Sequence, residues 1–248
     1  MRIFGFHAVL ARLKRSPESI SELYVDASRS DPRMRELIKL SRDAGLKLHE
    51  VDGARIERLC AGKRHQGVAA LVEAEAPSLT LDELLANLDS APDAAVTLLL
   101  LDGVTDPRNL GACLRVADGA GVTAVIAPKD HACGLTEVAM QTASGAAESI
   151  PYLMVTNLAR TLDELKERSI WIVGADERGE CDLYQADLPG SICWVLGAEG
   201  EGMRRLTRER CDELVKIPMS GSVASLNVSV AAGVCLFESR RRLMAGKR

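Results

Sequence analysis

From residue 96 onward, apolar residues come in short continuous runs separated by stretches of helical spacing. The runs 96–101, 122–127, 170–174, 191–196 and 214–217 have strand length, with a weaker one at 150–155. Helical spacing covers 109–119, 136–145, 158–168, 203–210 and 226–243. This alternation predicts a mostly parallel sheet. The runs are continuously apolar, which predicts strands covered on both faces.

The N-terminal part repeats the alternation on a smaller scale. A helix is predicted over 6–13, ended by Ser16-Pro17, then a strand over 20–25 and a turn at 28–31. Pro32 is well placed as an early residue of a helix over 33–44, which Gly45 closes. A strand over 46–51, a short helix from Asp52-Gly53 to Cys60, a basic loop from Gly62 to Gly67 and a strand over 68–72 complete the unit. The next stretch, to residue 95, is acidic, Ala-rich and interrupted by Pro77 and Pro92, with one or two helical turns at 80–85. It reads as a linker. The predicted organisation is a small α/β domain over 1–73, a linker over 74–95 and a larger α/β domain over 96–246.

Composition adds an asymmetry. The net charge of the 248 residues is −4, which by itself argues against nucleic acid as a partner. Residues 1–72, however, carry fourteen Lys and Arg against nine Asp and Glu, a net of +5; the remainder carry 17 against 26, a net of −9. A basic head on an acidic body fits a polyanion-binding module attached to something else, or a solvated charged surface. The seven cysteines are scattered without a Cys-x-x-Cys pair. That supports neither a disulfide framework nor a metal site, and points to a reducing cytoplasm. No apolar run is long enough to span a bilayer, and the N-terminus has no signal-peptide core.

Three segments just after predicted strands carry candidate chemistry. In 102–115, Asp106-Pro107 forces a turn, Asn109 is placed to cap the next helix, and Gly111 admits close approach of another backbone. Arg108 lies in the turn. Arg115 falls among apolar helix neighbours, where an arginine either finds an anion or partner or snorkels past the core. In 196–203 three glycines surround Glu199, predicting a tight loop over a ligand, or a plain turn before a helix. Neither a Walker Lys-Ser/Thr pair nor Gly-x-Gly-x-x-Gly occurs, so the nucleotide fingerprints fail. In 213–238 a strand breaks at Pro218 into a loop of small polar residues, followed by an Ala- and Val-rich helix from Asn227. Such a loop presents backbone groups to a ligand beyond the strand ends, or merely connects.

In combination and in this order, Asn109–Arg115 (NLGACLR), Leu196–Met203 (LGAEGEGM) and Lys216–Ala232 (KIPMSGSVASLNVSVAA) resemble the three signature motifs of the SpoU/TrmH family of RNA ribose 2′-O-methyltransferases. The resemblance spans the chain. Phe4–Val9 (FGFHAV) and His65–Ala69 (HQGVA) are similar to the substrate-binding domain of the RlmB-type subgroup, which methylates guanosine in the peptidyl-transferase region of 23S rRNA.

The resemblance implies a ribosomal L30e-like N-terminal α/β domain and a C-terminal α/β catalytic domain with a deep trefoil knot. It implies S-adenosylmethionine as cofactor, held by Gly197, Ile217, Met219, Ser225 and Leu226, and an active constellation of Asn109, Arg115, Glu199 and Asn227. It further implies 23S rRNA as substrate, a homodimer, and no metal. Lys63, Arg64, His65 and Arg108 are the expected RNA contacts. The motifs alone leave open a tRNA or resistance-type rRNA target with the same chemistry. A non-catalytic RNA-binding assembly factor is the alternative of a different class.

Overall fold

A computed structural model describes residues 2–60, 65–72, 79–92 and 94–245. The chain divides into two compact units, one of Met1–Pro77 with Ser144–Ser149, the other of Ser78–Ala143 with Ile150–Arg248.

In the first unit, β1 (Arg2–Phe4), α1 (Phe6–Arg15), β2 (Ile20–Asp26), α2 (Pro32–Asp43), β3 (Leu48–Val51), α3 (Gly53–Leu59) and β4 (Val68–Val72) build a sheet of order β1-β4-β2-β3. Among the described residues, only the β2–β3 pairing is parallel. The helices begin where side chains satisfy orphan amides: Asp31 accepts the Met34 N–H and Asp52 the Arg55 N–H. Alternation along β2 sends Leu23 and Val25 to one face and Tyr24 to the other, where it packs with Ile56, Cys60 and Ala69. Strand β1 was not predicted; three residues are too few to show a period. Ser144–Ser149 join this unit through a buried pair, Arg12 Nη1 to Glu148 Oε2 at 2.8 Å.

The second unit holds α4 (Leu81–Ser90), β5 (Thr97–Asp102), α5 (Pro107–Ala120), β6 (Ala124–Pro128), α6 (Glu137–Ala143), β7 (Tyr152–Val155), α7 (Leu158–Lys166), β8 (Trp171–Ala175), β9 (Cys181–Asp182), β10 (Ile192–Gly197), α8 (Arg205–Glu209), β11 (Glu213–Lys216) and α9 (Val228–Ala245). The sheet order is β7-β6-β5-β10-β8-β11-β9, and every pairing is parallel. With all strands parallel, their C-terminal ends share one edge, and the loops after β5, β8, β10 and β11 emerge there side by side. Helix α4 is longer than the two turns expected of a linker. Thr80 and Glu83 form a reciprocal capping box, and Leu84, Leu85 and Leu88 are buried in the same core as Leu98, Leu100 and Val195. At Gly111 a Cβ would lie 2.4 Å from the Ala139 carbonyl oxygen, so α5 and α6 pack there with no room for a side chain.

Helix α9 is fixed by Glu238, which is nearly buried and binds Arg241 (2.7 and 2.8 Å) and Arg242 (2.7 Å). Arg242 in turn donates to the Leu183 and Ala186 carbonyls, tying the loop before β10 to the helix. The bond from Arg241, then that from Arg242, lowers the Glu238 carboxyl from 4.5 to about 2. A depressed carboxylate stabilises the fold above its unfolded value and loses that contribution as pH falls from about 4.5 to about 2. Glu238→Gln is therefore expected to lower the melting temperature by a few degrees at pH 7 and to flatten acid unfolding across that window, as measured by circular dichroism.

Candidate active site

The strand ends of the second unit enclose a cleft of about 980 Å³ of free space, part of it open to solvent. Its walls are Ala175–Arg178 after β8, Leu196–Gly202 at the end of β10, Ile217 and Met219 after β11, and Ala224–Leu226 with Val228 and Ala231 at the start of α9. Five residues expected to hold a cofactor, Gly197, Ile217, Met219, Ser225 and Leu226, all line it, and so does Glu199.

The glycine loop is built with little tolerance. Ala198 and Gly202 exchange N–H···O bonds of 3.2 and 2.9 Å, closing a turn in which Gly200 (φ 83°) and Gly202 (φ 71°) take the left-handed backbone that glycine accepts at no steric cost. A Cβ on Gly197 would sit 2.0 Å from the Gly202 carbonyl carbon, so only glycine fits. Met203 follows as a buried plug in the core, and the tip carries Glu199 and Glu201 exposed to solvent. Beneath the loop, the buried carboxylate of Asp102 at the end of β5 accepts from Arg204 N (2.9 Å) and Arg204 Nε (2.6 Å).

Asn227, between two residues of the cleft wall, joins two helix starts. Its Nδ2 donates to Asn109 Oδ1 at 2.9 Å, while its Oδ1 accepts from Ser229 N (3.0 Å) and Ser229 Oγ (2.7 Å) at the first turn of α9. Asn109 does not cap α5, contrary to the expectation from sequence. Asp106 is the N-cap, accepting the Arg108 N–H at 2.8 Å, and Pro107 occupies the first turn. That frees the Asn109 side chain for Asn227.

Arg115 also departs from expectation. It lies on α5 but on its exposed side, away from the apolar face formed by Leu110, Cys113, Leu114 and Ala117. Arg108 is exposed as well. Lys63 and Arg64 lie outside the described residues. His65 is engaged locally: its Nδ1 accepts from Gly67 N at 3.0 Å and its Nε2 lies 2.8 Å from Glu57 Oε2. Those contacts shape the loop into β4.

Sequence reasoning missed Asp176, Glu177 and Arg178, which line the cleft although they follow an expected strand; strand-end position was the available signal. It also missed Asp102, whose partner lies 102 residues away. Among the described residues, the cleft carries Asp176, Glu177, Glu199 and Glu201 against Arg178, a formal excess of three negative charges. Such walls favour a cationic ligand and oppose a di- or triphosphate. Burial pushes the Cys113, Cys211 and Cys235 thiols up to about 12, so none of the three supplies a thiolate near neutral pH. No helix among the described residues is long and apolar enough to cross a membrane.

Two families match the chain in tandem. Residues 2–78 match the family described as RNA 2′-O ribose methyltransferase substrate binding, and residues 96–237 match the SpoU rRNA methylase family. The 23S rRNA (guanosine-2′-O-)-methyltransferase RlmB of Bordetella pertussis is 56% identical over 238 residues, covering 96% of each chain. The protein of the same name from Ralstonia nicotianae is 55% identical over 240 residues, 97% of this chain and 95% of its own. Among solved structures, the SpoU methyltransferase AviRb from Streptomyces viridochromogenes in complex with AdoMet superimposes with a TM-score of 0.73 at 26% identity, covering 98% of this chain and 90% of that one.

Proposed function

Because the chain belongs to the SpoU rRNA methylase family, we propose that it transfers a methyl group from S-adenosylmethionine to the ribose 2′-hydroxyl of a guanosine in 23S rRNA. The observation that carries this is the 56% identity over 96% of the chain to an RlmB enzyme, with residues of the second and third signature motifs lining one cleft. The cleft fits the cofactor. Ile217, Met219 and Leu226 supply apolar surface for an adenine ring, and the excess of carboxylates suits a cationic ligand. When bound, the cofactor supplies an electrophilic methyl on a sulfonium, so what remains for the protein is to align the hydroxyl and help remove its proton.

Our assignment of roles follows from charge and position. A guanidinium stays protonated in proteins, so Arg115 binds the phosphate beside the target ribose and polarises the hydroxyl; it does not act as the base. Glu199, at the exposed tip of the glycine loop, or a water held by it, receives the proton. Asn109 and Asn227 lock the starts of α5 and α9 together and so set where the loops stand. Removing the Asn109 amide leaves Asn227 Nδ2 without its partner. Asn109→Ala is expected to cut methyl incorporation into 23S rRNA from labelled cofactor by roughly a hundredfold or more, a cost of ~2.7 kcal/mol in the barrier. Incorporation into tRNA instead of 23S rRNA by the unmodified protein would overturn the choice of substrate.

Arg115 also supports a homodimer. Gly119 lies one turn from it on α5, and a Cβ there would meet Phe237 of α9 at 3.6 Å; Phe237 and Val230, two turns apart on α9, are each 51% exposed. An apolar stripe beside an arginine with no ion-pair partner among the described residues suits an isologous interface that brings Arg115 to the partner's cleft. The return of the chain from β11 to α9, which packs on α5 and β10, supports the knot implied by the signature motifs. The basic head, with Lys63, Arg64 and His65, together with Arg108, serves as the RNA grip, and the enzyme works in the cytoplasm.

A further inference from the structure

The Asp102–Arg204 pair has no role in the scheme above, and its geometry is unusual for a structural ion pair. Asp102 is 1% exposed at the end of β5, and a carboxylate there needs partners to stay charged. Among the described residues, both of the bonds it accepts come from Arg204, one from the backbone N–H and one from Nε. The Arg204 side chain is 50% exposed, however, so the pair is buried at the carboxylate and open at the guanidinium. The Nε edge faces inward, and among the described residues the outer Nη1 and Nη2 groups have no hydrogen-bond partner.

An arginine gripped at its backbone and Nε by one buried carboxylate, with its outer donors facing solvent, is a guanidinium pre-oriented for an anion. Loss of rotamer freedom has already been met in the free protein, so less is lost when a second partner binds. The location is informative. Arg204 stands two residues beyond Gly202, the last cleft residue of the loop that carries Glu199. The cleft wall is net acidic, with Arg178 against four carboxylates, and the part of the chain from residue 73 onward carries a net of −9. A polyanion approaching that edge therefore needs local cations. The neighbouring Arg205 is less suited, because its guanidinium is engaged with Glu209 at 2.7 Å on the surface of α8.

We propose that Arg204 is an RNA-phosphate contact beside the reaction site, held in its binding geometry by Asp102. This role rests on the methyl-transfer reading, and it adds a substrate contact that the signature motifs do not include. It also couples the two ligands physically. The same carboxylate that orients the phosphate donor fixes the end of the loop lining the cofactor cleft.

The decisive variant is Arg204→Gln. A glutamine Nε2 occupies nearly the position of the arginine Nε, so the bond to Asp102 and the backbone bond are both retained, while the charge and the outer donors are removed. With a 23S rRNA transcript as substrate, Arg204→Gln is expected to raise the KM for RNA roughly tenfold, the loss of one charge-assisted hydrogen-bonding group. Binding of S-adenosylmethionine by calorimetry should stay within about twofold of the unmodified protein. The dependence of RNA affinity on salt should become shallower by about one counterion. Arg204→Ala, which also breaks the Nε bond, is expected to weaken both ligands. If Arg204→Gln leaves the KM for RNA and the salt dependence unchanged, Arg204 is only a loop clamp and the proposal falls. The same holds if only cofactor binding suffers. Failure of the methyl-transfer reading itself would look different, as the unmodified protein would show no turnover on the transcript.

Discussion

Gly197→Ala is expected to abolish cofactor binding. A Cβ at this position would stand 2.0 Å from the Gly202 carbonyl carbon, 2.2 Å from Met203 N and 2.4 Å from the Gly202 oxygen. All three are backbone atoms, so no rotamer change relieves the overlap. The turn closed by Ala198 and Gly202 has to move, and it cannot move alone, because Met203 is seated in the core and Arg204 is tied to Asp102. The displaced loop forms one wall of the cleft. The expected result is a fall in affinity for S-adenosylmethionine of at least about a hundredfold, ~2.7 kcal/mol, read by calorimetry. The strand itself should survive, since Gly197 is the last residue of β10 and the core positions Cys193 and Val195 precede it. A folded protein that binds the cofactor normally with alanine at 197 would show that this loop is not the wall of the cofactor site.

Arg115→Ala is expected to lose at least about a thousandfold in turnover, roughly 4 kcal/mol of barrier, with cofactor affinity unchanged. Lysine should not restore it, because an ammonium lacks the planar fork that holds a phosphate and a hydroxyl together. If Arg115 acts across a dimer interface, a mixture of Arg115→Ala and Gly197→Ala proteins regains activity that neither has alone. In a mixed dimer, the intact cleft of the first protein receives the intact arginine of the second. Random pairing gives about a quarter of the unmodified activity. No recovery on mixing, with dimer exchange verified, would place Arg115 in its own subunit's site. Near-normal turnover of the lysine variant with RNA bound would remove the guanidinium from the mechanism altogether.

The parts of this structure that were legible beforehand are those that depend on local pattern. The runs at 96–101 and 191–196 became β5 and β10 with a shift of one residue, because buried parallel strands are continuously apolar. The glycine loop and the small-residue loop before α9, each expected beyond a strand end, both line the cleft. What was not legible depends on pairing across the sheet. That β10 lies between β5 and β8 brings Asp102 under the loop of Arg204, and no local signal announces it. The Asn109–Asn227 bond has the same character. A cap was the natural reading of Asn109, until Asp106, three residues earlier, proved to hold that position. The environment expected for Arg115 differs from the one observed. Helical spacing placed it among apolar neighbours, yet its own side of α5 faces outward.

The most direct test of ribose methylation uses the chemistry of the product. Alkali cleaves RNA through attack of the 2′-oxygen on the adjacent phosphate, so a 2′-O-methyl group protects the bond that follows it. A 23S rRNA transcript methylated with labelled cofactor and then hydrolysed in alkali should carry its label in an alkali-resistant dinucleotide whose first residue is guanosine. Label recovered in mononucleotides would mean that the methyl group sits on a base, and would contradict the assignment.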